Sequence, residues 1–129
     1  MTYALDTNTL SFLLRTNATV FEHFENAQRC VIPPVAYYEI KRGLLAVNAT
    51  AKLKLFYKLC EICEIGEMSA RAWDIAAEIY VERRKIGKTV EDADIFIAAF
   101  CLANGYSLVT GNTRHFEEME GLAIEDWTK

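Results

Sequence analysis

A chain of 129 residues, 52% of them hydrophobic, has the length and apolar content for one well-filled core, so a single domain over residues 1–129 is expected. Fourteen Lys and Arg against 18 Asp and Glu leave a net charge of −4, which excludes a protein that holds nucleic acid by bulk positive charge; a polyanion would need a local basic patch or bound cations. With no apolar run of about 18 residues and no basic segment leading into an apolar stretch, neither a membrane span nor a signal peptide is expected, and a cytoplasmic location without a membrane partner is.

In chain order, residues 2–6 read as a strand closed by "DTNT", and a short helix follows Asn8. A second helix is predicted from about Thr19 to Ala27. "CVI", Cys30 to Ile32, is the next strand, and Pro33 and Pro34 suit the start of a helix running from about Val35 to Ala46. Another helix begins near Asn48 or Thr50, and "ICEIG" is a third strand before Gly66. Ser69 is positioned to cap a long helix in which Trp73, Ala76, Ala77, Tyr80 and Val81 recur at helical spacing, and "ERRKIGK" closes it with basic residues and Gly87. A helix from about Asp92 to Ala103 stops at Asn104 and Gly105; residues 106–110 are a strand, "GNTRHFEEMEG" is a loop with one helical turn, and "LAI" is a final edge strand. Strands alternating with helices predict an α/β fold around a mainly parallel sheet of four or five short strands.

Cys30, Cys60, Cys63 and Cys101 include one C-x-x-C but no second pair and no His partners, so reduced, buried thiols are expected rather than a zinc site.

Three acids do not fit the apolar pattern. Asp6 ends the first strand, where it can cap the following helix or face a ligand at the carboxyl edge of a sheet. Asp94 falls on the stripe made by Ile97, Ala98, Cys101 and Leu102; an unpaired carboxylate facing the interior costs several kcal/mol (~) unless a cation or a polar cleft offsets it. Glu39 flanks the stripe Ala36, Ile40, Gly43, Leu44 and Val47. In a parallel βα arrangement, strand ends and helix starts share one edge, so Asp6, Glu39 and Asp94 can converge. Such a cluster is tolerable with a divalent cation, and oxygen-only ligands select Mg²⁺ or Mn²⁺. Thr110 and Asn112 follow the strand 106–110 on the same edge, either as ordinary turn residues or as hydrogen-bonding partners, and Arg114 and His115 offer positive donors to a phosphate. Thr7 and Thr110 stand beside the acids as supports. Further cations for phosphate are Arg15, Lys41 and Arg42, while "RRKIGK" is either a solvated helix end or a basic loop that guides substrate.

The segments "LDTN" (5–8), "YYEIKRG" (37–43), "DADIFIAA" (92–99), "LVTGNTRHF" (108–116) and "GLAIEDW" (121–127) together resemble the PIN-domain ribonucleases, specifically the VapC-type toxins of prokaryotic toxin-antitoxin pairs. The resemblance implies a PIN-like three-layer fold and Mg²⁺- or Mn²⁺-dependent hydrolysis of RNA. It makes Asp6, Glu39 and Asp94 the metal ligands and, with Asn112 at the position where many relatives carry a fourth acid, the catalytic set Asp6, Glu39, Asp94 and Asn112. It also implies a homodimer and a small cognate antitoxin protein. Two other readings of the residues stay open: a Mg²⁺-dependent phosphotransfer or receiver-like domain, against which no strand here ends in lysine, and a non-catalytic interaction module in which the acids are caps and salt bridges.

Overall fold

Five short strands separated by six helices assemble, in the computed structural model of residues 1–129, into one sheet of order β3-β2-β1-β4-β5 in which every neighbouring pair is parallel. The elements run β1 (Thr2–Leu5), α1 (Thr7–Leu14), α2 (Ala18–Asn26), β2 (Arg29–Ile32), α3 (Pro34–Ala46), α4 (Thr50–Ile62), β3 (Glu64–Ile65), α5 (Ala70–Lys85), α6 (Asp92–Asn104), β4 (Ser107–Val109), a 3-10 turn (Thr113–His115) and β5 (Ile124–Glu125). The expected α/β architecture is therefore present, with all five strands parallel. No helix is long and apolar enough to cross a membrane.

The central strand β1 lies between β2 and β4, with Tyr3 opposite Cys30 on one side and Ser107 on the other. Its Ala4 and Leu5 are fully buried and join Val31, Ile32, Leu108, Val109, Phe56 and Phe100 in the main core. Because the strands run the same way, the chain leaves β1, β2 and β4 at one edge of the sheet, and α1 and α3 start there.

Several local expectations shift for identifiable reasons. Helix α1 starts at Thr7 instead of after Asn8, because the Asp6 side chain accepts the Thr9 amide and caps it. Asn48 does not begin α4 but takes a left-handed conformation, φ 52°, in the turn before it. In α3 the buried stripe holds at Ala36 and Ile40 and then runs out: Gly43 and Val47 are exposed.

The largest rotation is in α5, capped by Ser69 as expected, where Trp73, Ala77, Tyr80 and Val81 lie outward. The buried face is Ala72, Ala76 and Arg83. Small residues let α5 approach α6 closely, and that packing outweighs the larger but outward aromatic stripe. Trp73 still covers part of its ring by meeting Phe96 edge-on, with centroids 5.0 Å apart. The segment "RRKIGK" is a solvated helix end only in part: Arg84 and Lys85 are exposed and unpaired, whereas Arg83 and Lys88 are engaged. The buried Arg83 guanidinium lies 3.5 Å from Glu118 and Lys88 pairs with the same carboxylate, tying the end of α5 to the segment after β4. All four cysteines are free thiols, three of them buried, and burial pushes Cys30 up to about 11 and Cys63 and Cys101 to about 12.

Gly66 marks one position where the fold admits no side chain. Its amide donates to the Ile32 carbonyl at 2.8 Å, and a Cβ there would lie 2.2 Å from Cζ of the buried Phe100 ring. Gly66→Ala is expected to cost about 1–3 kcal/mol of stability by overpacking, measurable as a lowered urea midpoint at unchanged slope.

Candidate active site

Asp6 is held by backbone before its side chain does anything. Its amide donates to the Val109 carbonyl at 3.1 Å, pinning it to β4, and Oδ1 accepts from the Thr9 amide at 2.8 Å. The Thr9 hydroxyl in turn donates to the Val109 carbonyl at 3.0 Å. The two meanings of Asp6 are therefore one arrangement: capping fixes the carboxylate, 4% exposed, at the sheet edge. Burial pushes its acid group above the ordinary aspartate value; the Thr110 hydroxyl and the Thr9 amide and hydroxyl pull it back, and the negative charge of Asp94 raises it again.

Asp94 sits in the first turn of α6, a helix buried almost all round at Ile95, Ile97, Ala98, Ala99, Phe100 and Cys101. Burial raises its acid group as well. His115, whose Nδ1 lies 2.9 Å from Oδ2, lowers it, while Glu91 and Glu39 raise it. Glu39 rises from α3 with Oε1 accepting the Thr7 hydroxyl at 2.8 Å and Oε2 3.8 Å from Arg42. Asp6 thus feels Asp94, and Asp94 feels Glu39, in one acidic row along the edge that strands β1 and β4 leave.

The supporting positions divide. Thr7 holds Glu39; Thr110 is fully buried, and its Oγ1 accepts the Asn112 amide at 3.0 Å. Asn112 itself contributes backbone: its carbonyl accepts the His115 amide at 3.1 Å, closing the turn that presents His115, while the residue stays exposed. Arg114 is exposed beside His115 on the rim of a cleft that also contains Asp94. Thr9 joins these residues without having been a candidate on composition or pattern; its signal is the spacing Asp6-x-x-Thr9, the capping register itself.

A PIN domain family model matches residues 3–122. The chain belongs to the PIN domain family. Among PIN-domain relatives it is similar to Ribonuclease VapC1 of Methanocaldococcus jannaschii, 33% identical over 90 residues that make up 68% of this chain and 64%, just under two thirds, of that relative. It is also similar to the tRNA(fMet)-specific endonuclease VapC of Shigella flexneri, 29% identical over 129 residues and 98% of each chain. Of solved structures, DNA-bound VapBC from Salmonella typhimurium contains a chain that superposes with a TM-score of 0.90 at 27% identity, covering 98% of both.

Whether this PIN domain suits a hard dication is decided by its donors. They are anionic oxygens, one carboxylate is buried, and Asp94 raises the proton affinity of Asp6 as Glu39 does that of Asp94, a charge imbalance that a dication relieves. In the rotamers seen, Thr7 engages Glu39 and His115 engages Asp94, and no three His, Cys, Asp or Glu side chains stand close enough to hold one ion. The hydroxyl and the imidazole each engage one oxygen of these two carboxylates.

Proposed function

We propose that the chain is the endoribonuclease toxin of a VapBC-type toxin-antitoxin pair, hydrolysing RNA phosphodiester bonds in the cytoplasm as one PIN-like domain that forms a homodimer. A small cognate antitoxin protein is its partner, and Asp6, Glu39 and Asp94 would hold Mg²⁺ or Mn²⁺. The observation that carries this reading is the buried Asp6, whose carboxylate meets hydroxyl and amide donors but no cationic side chain and is opposed by Asp94 at the sheet edge of a PIN domain. Caps and salt bridges alone explain the acids less well: a cap needs one oxygen and no burial of a second like charge nearby.

When bound, the cation supplies Lewis-acid activation of water and neutralises charge on the phosphorane-like transition state. The protein's own groups do the positioning. Thr9 and Thr110 fix the Asp6 carboxylate, Thr7 orients Glu39, and His115 orients Asp94. With Nδ1 on Asp94, the His115 ring offers its other nitrogen, together with the Arg114 guanidinium, to the phosphate oxygens. Water attacks phosphorus and gives up a proton, the bond from phosphorus to the leaving ribose oxygen breaks, and that oxygen takes up a proton in its place, so that the two products are a phosphomonoester and a free hydroxyl.

Incubation of purified protein with RNA in Mn²⁺ or Mg²⁺ should give endonucleolytic cleavage that stops in EDTA and resumes with excess cation. Cleavage indifferent to EDTA would remove the metal from the reading, and no cleavage under either condition would remove the ribonuclease. Growth arrest on expression, relieved by a co-expressed small protein, tests the toxin role.

A further inference from the structure

The acidic row is flanked by two clefts that differ in what their cations are doing. On the Asp94 side, Arg83 and Lys88 are both engaged by Glu118 and His115 by Asp94, which leaves Arg114 as the one cation without a carboxylate partner in a cleft that is also lined by four acids, Glu91, Asp94, Glu117 and Glu118. On the Glu39 side, a cleft of about 370 Å³ opens between α1, α3 and the start of α4, with Arg15 and Lys52 at its rim. Neither of these has a carboxylate partner; Arg15 only lies over the Phe12 ring, 4.8 Å from its centroid. Glu39 is the sole acid lining this cleft, so in a chain of net charge −4 it is a local excess of positive charge next to the candidate site.

Its walls are mixed. Leu14, Ile40 and Leu44 give an apolar surface, and Asn8 and Ser11 give donors and acceptors. The volume falls within the range of about 300–1,000 Å³ usual for small-ligand sites. Gly43 borders the same cleft from the middle of α3. A Cβ there would meet no atom within 4 Å, so nothing in the chain's own packing requires glycine, although a helix-interior glycine is unfavourable. What the missing side chain does is leave the cleft open.

We propose that this cleft receives the nucleotide adjoining the scissile phosphodiester of a single-stranded RNA, with Arg15 and Lys52 paired to its phosphate. This rests on the ribonuclease reading above. The base lies against the apolar wall and meets Asn8 and Ser11 at its edge, which an unpaired, splayed base can do and a base inside a duplex cannot. The row of acids is self-repelling toward a polyanion, so the unpaired cations beside it bring the backbone in and set which phosphate reaches the carboxylates.

The test uses the full chain carrying Asp94→Asn, so that RNA is bound without being cut, and a fluorescein-labelled single-stranded decaribonucleotide followed by anisotropy at several KCl concentrations. Arg15→Gln and Lys52→Gln should each weaken binding several-fold and flatten the slope of log Kd against log salt by about 0.7, the loss of one phosphate contact on a single strand. Gly43→Met, which fills the cleft with a good helix former and leaves the charges alone, should weaken binding with the salt slope unchanged. Lys58→Gln, an exposed α4 lysine outside either cleft, removes the same charge and should change neither. In the cleaving protein the cleft variants should raise KM with kcat little altered. Cleft variants that bind RNA like Lys58→Gln, while the wild type cleaves, overturn the inference and leave the ribonuclease intact; if those variants lose a protein partner instead, the cleft belongs to that partner and the inference is likewise overturned. A wild type that neither binds nor cleaves RNA overturns the reading beneath it.

Discussion

Asp6→Asn should lose RNA cleavage by about 10²–10³-fold or more, on the scale of removing a main electrostatic contributor to a transition state, and should nevertheless melt higher than the wild type. The two effects separate because Asp6 has two jobs on two oxygens. Oδ1 accepts the Thr9 amide at 2.8 Å and caps α1, and asparagine caps as well as aspartate, so the helix start is preserved. The negative charge is what changes, and that charge is buried, opposed by Asp94 and offset only by hydroxyl and amide donors. Removing it should stabilise the cation-free protein by about 0.5–2 kcal/mol, a shift of a few degrees, the usual sign at a site where function has been kept at the expense of stability. Asp6→Ala provides the control, since it also removes the cap at a cost of about 1 kcal/mol and should fall below Asp6→Asn. Asp94→Asn should lose cleavage on the same scale. Its stability gain should be smaller, because His115 already pairs with that carboxylate and the side chain is about a quarter exposed. Rates within a few-fold of wild type, or an Asp6→Asn midpoint below it, would be incompatible with this site.

Asp6 is legible in the sequence in a way that the buried face of α5 is not. Asp6, Glu39 and Asp94 stand out because each breaks an apolar pattern near a strand end or helix start, and a parallel sheet sends those positions to one edge; both facts are local or topological. The partners of these acids are neither. Thr7 and Glu39 are 32 residues apart and Asp94 and His115 are 21 apart, and which hydroxyl or imidazole meets which carboxylate depends on how α1, α3 and α6 dock. The α5 stripe fails for a related reason. Periodicity identified the helix and its Ser69 cap, but with both small and aromatic residues recurring at helical spacing it could not say which set faces inward; close approach to α6 selected Ala72 and Ala76. The burial of Arg83 is not legible in "RRKIGK" because its pairing with Glu118 crosses from α5 to the segment after β4, whereas a basic helix end looks the same whether solvated or engaged.

The same charge imbalance fixes the pH behaviour. Asp6 and Asp94 both have acid groups raised above the ordinary aspartate value of 3.8, burial being the first cause in each. A raised acid in the native state means that the folded protein binds the proton more tightly than the unfolded chain does. Its stabilising contribution is therefore complete below the unfolded value and is lost as pH rises through the folded one. Glu118, lowered by Lys88, and Asp126, lowered by Thr128, act in the opposite sense but on the exposed surface, where such pairing is worth little. Measured in EDTA, the gap in melting temperature between wild type and Asp6→Asn should be small at pH 4 and widen toward pH 7.5, because only the wild type is forced to ionise a buried acid. Mn²⁺ at pH 7.5 should then close the gap by raising the wild type alone, by about 2.7 kcal/mol at a hundredfold excess over Kd. A gap independent of pH would show that Asp6 carries no charge penalty, and a gap that Mn²⁺ leaves untouched would show that the penalty is not one a cation relieves.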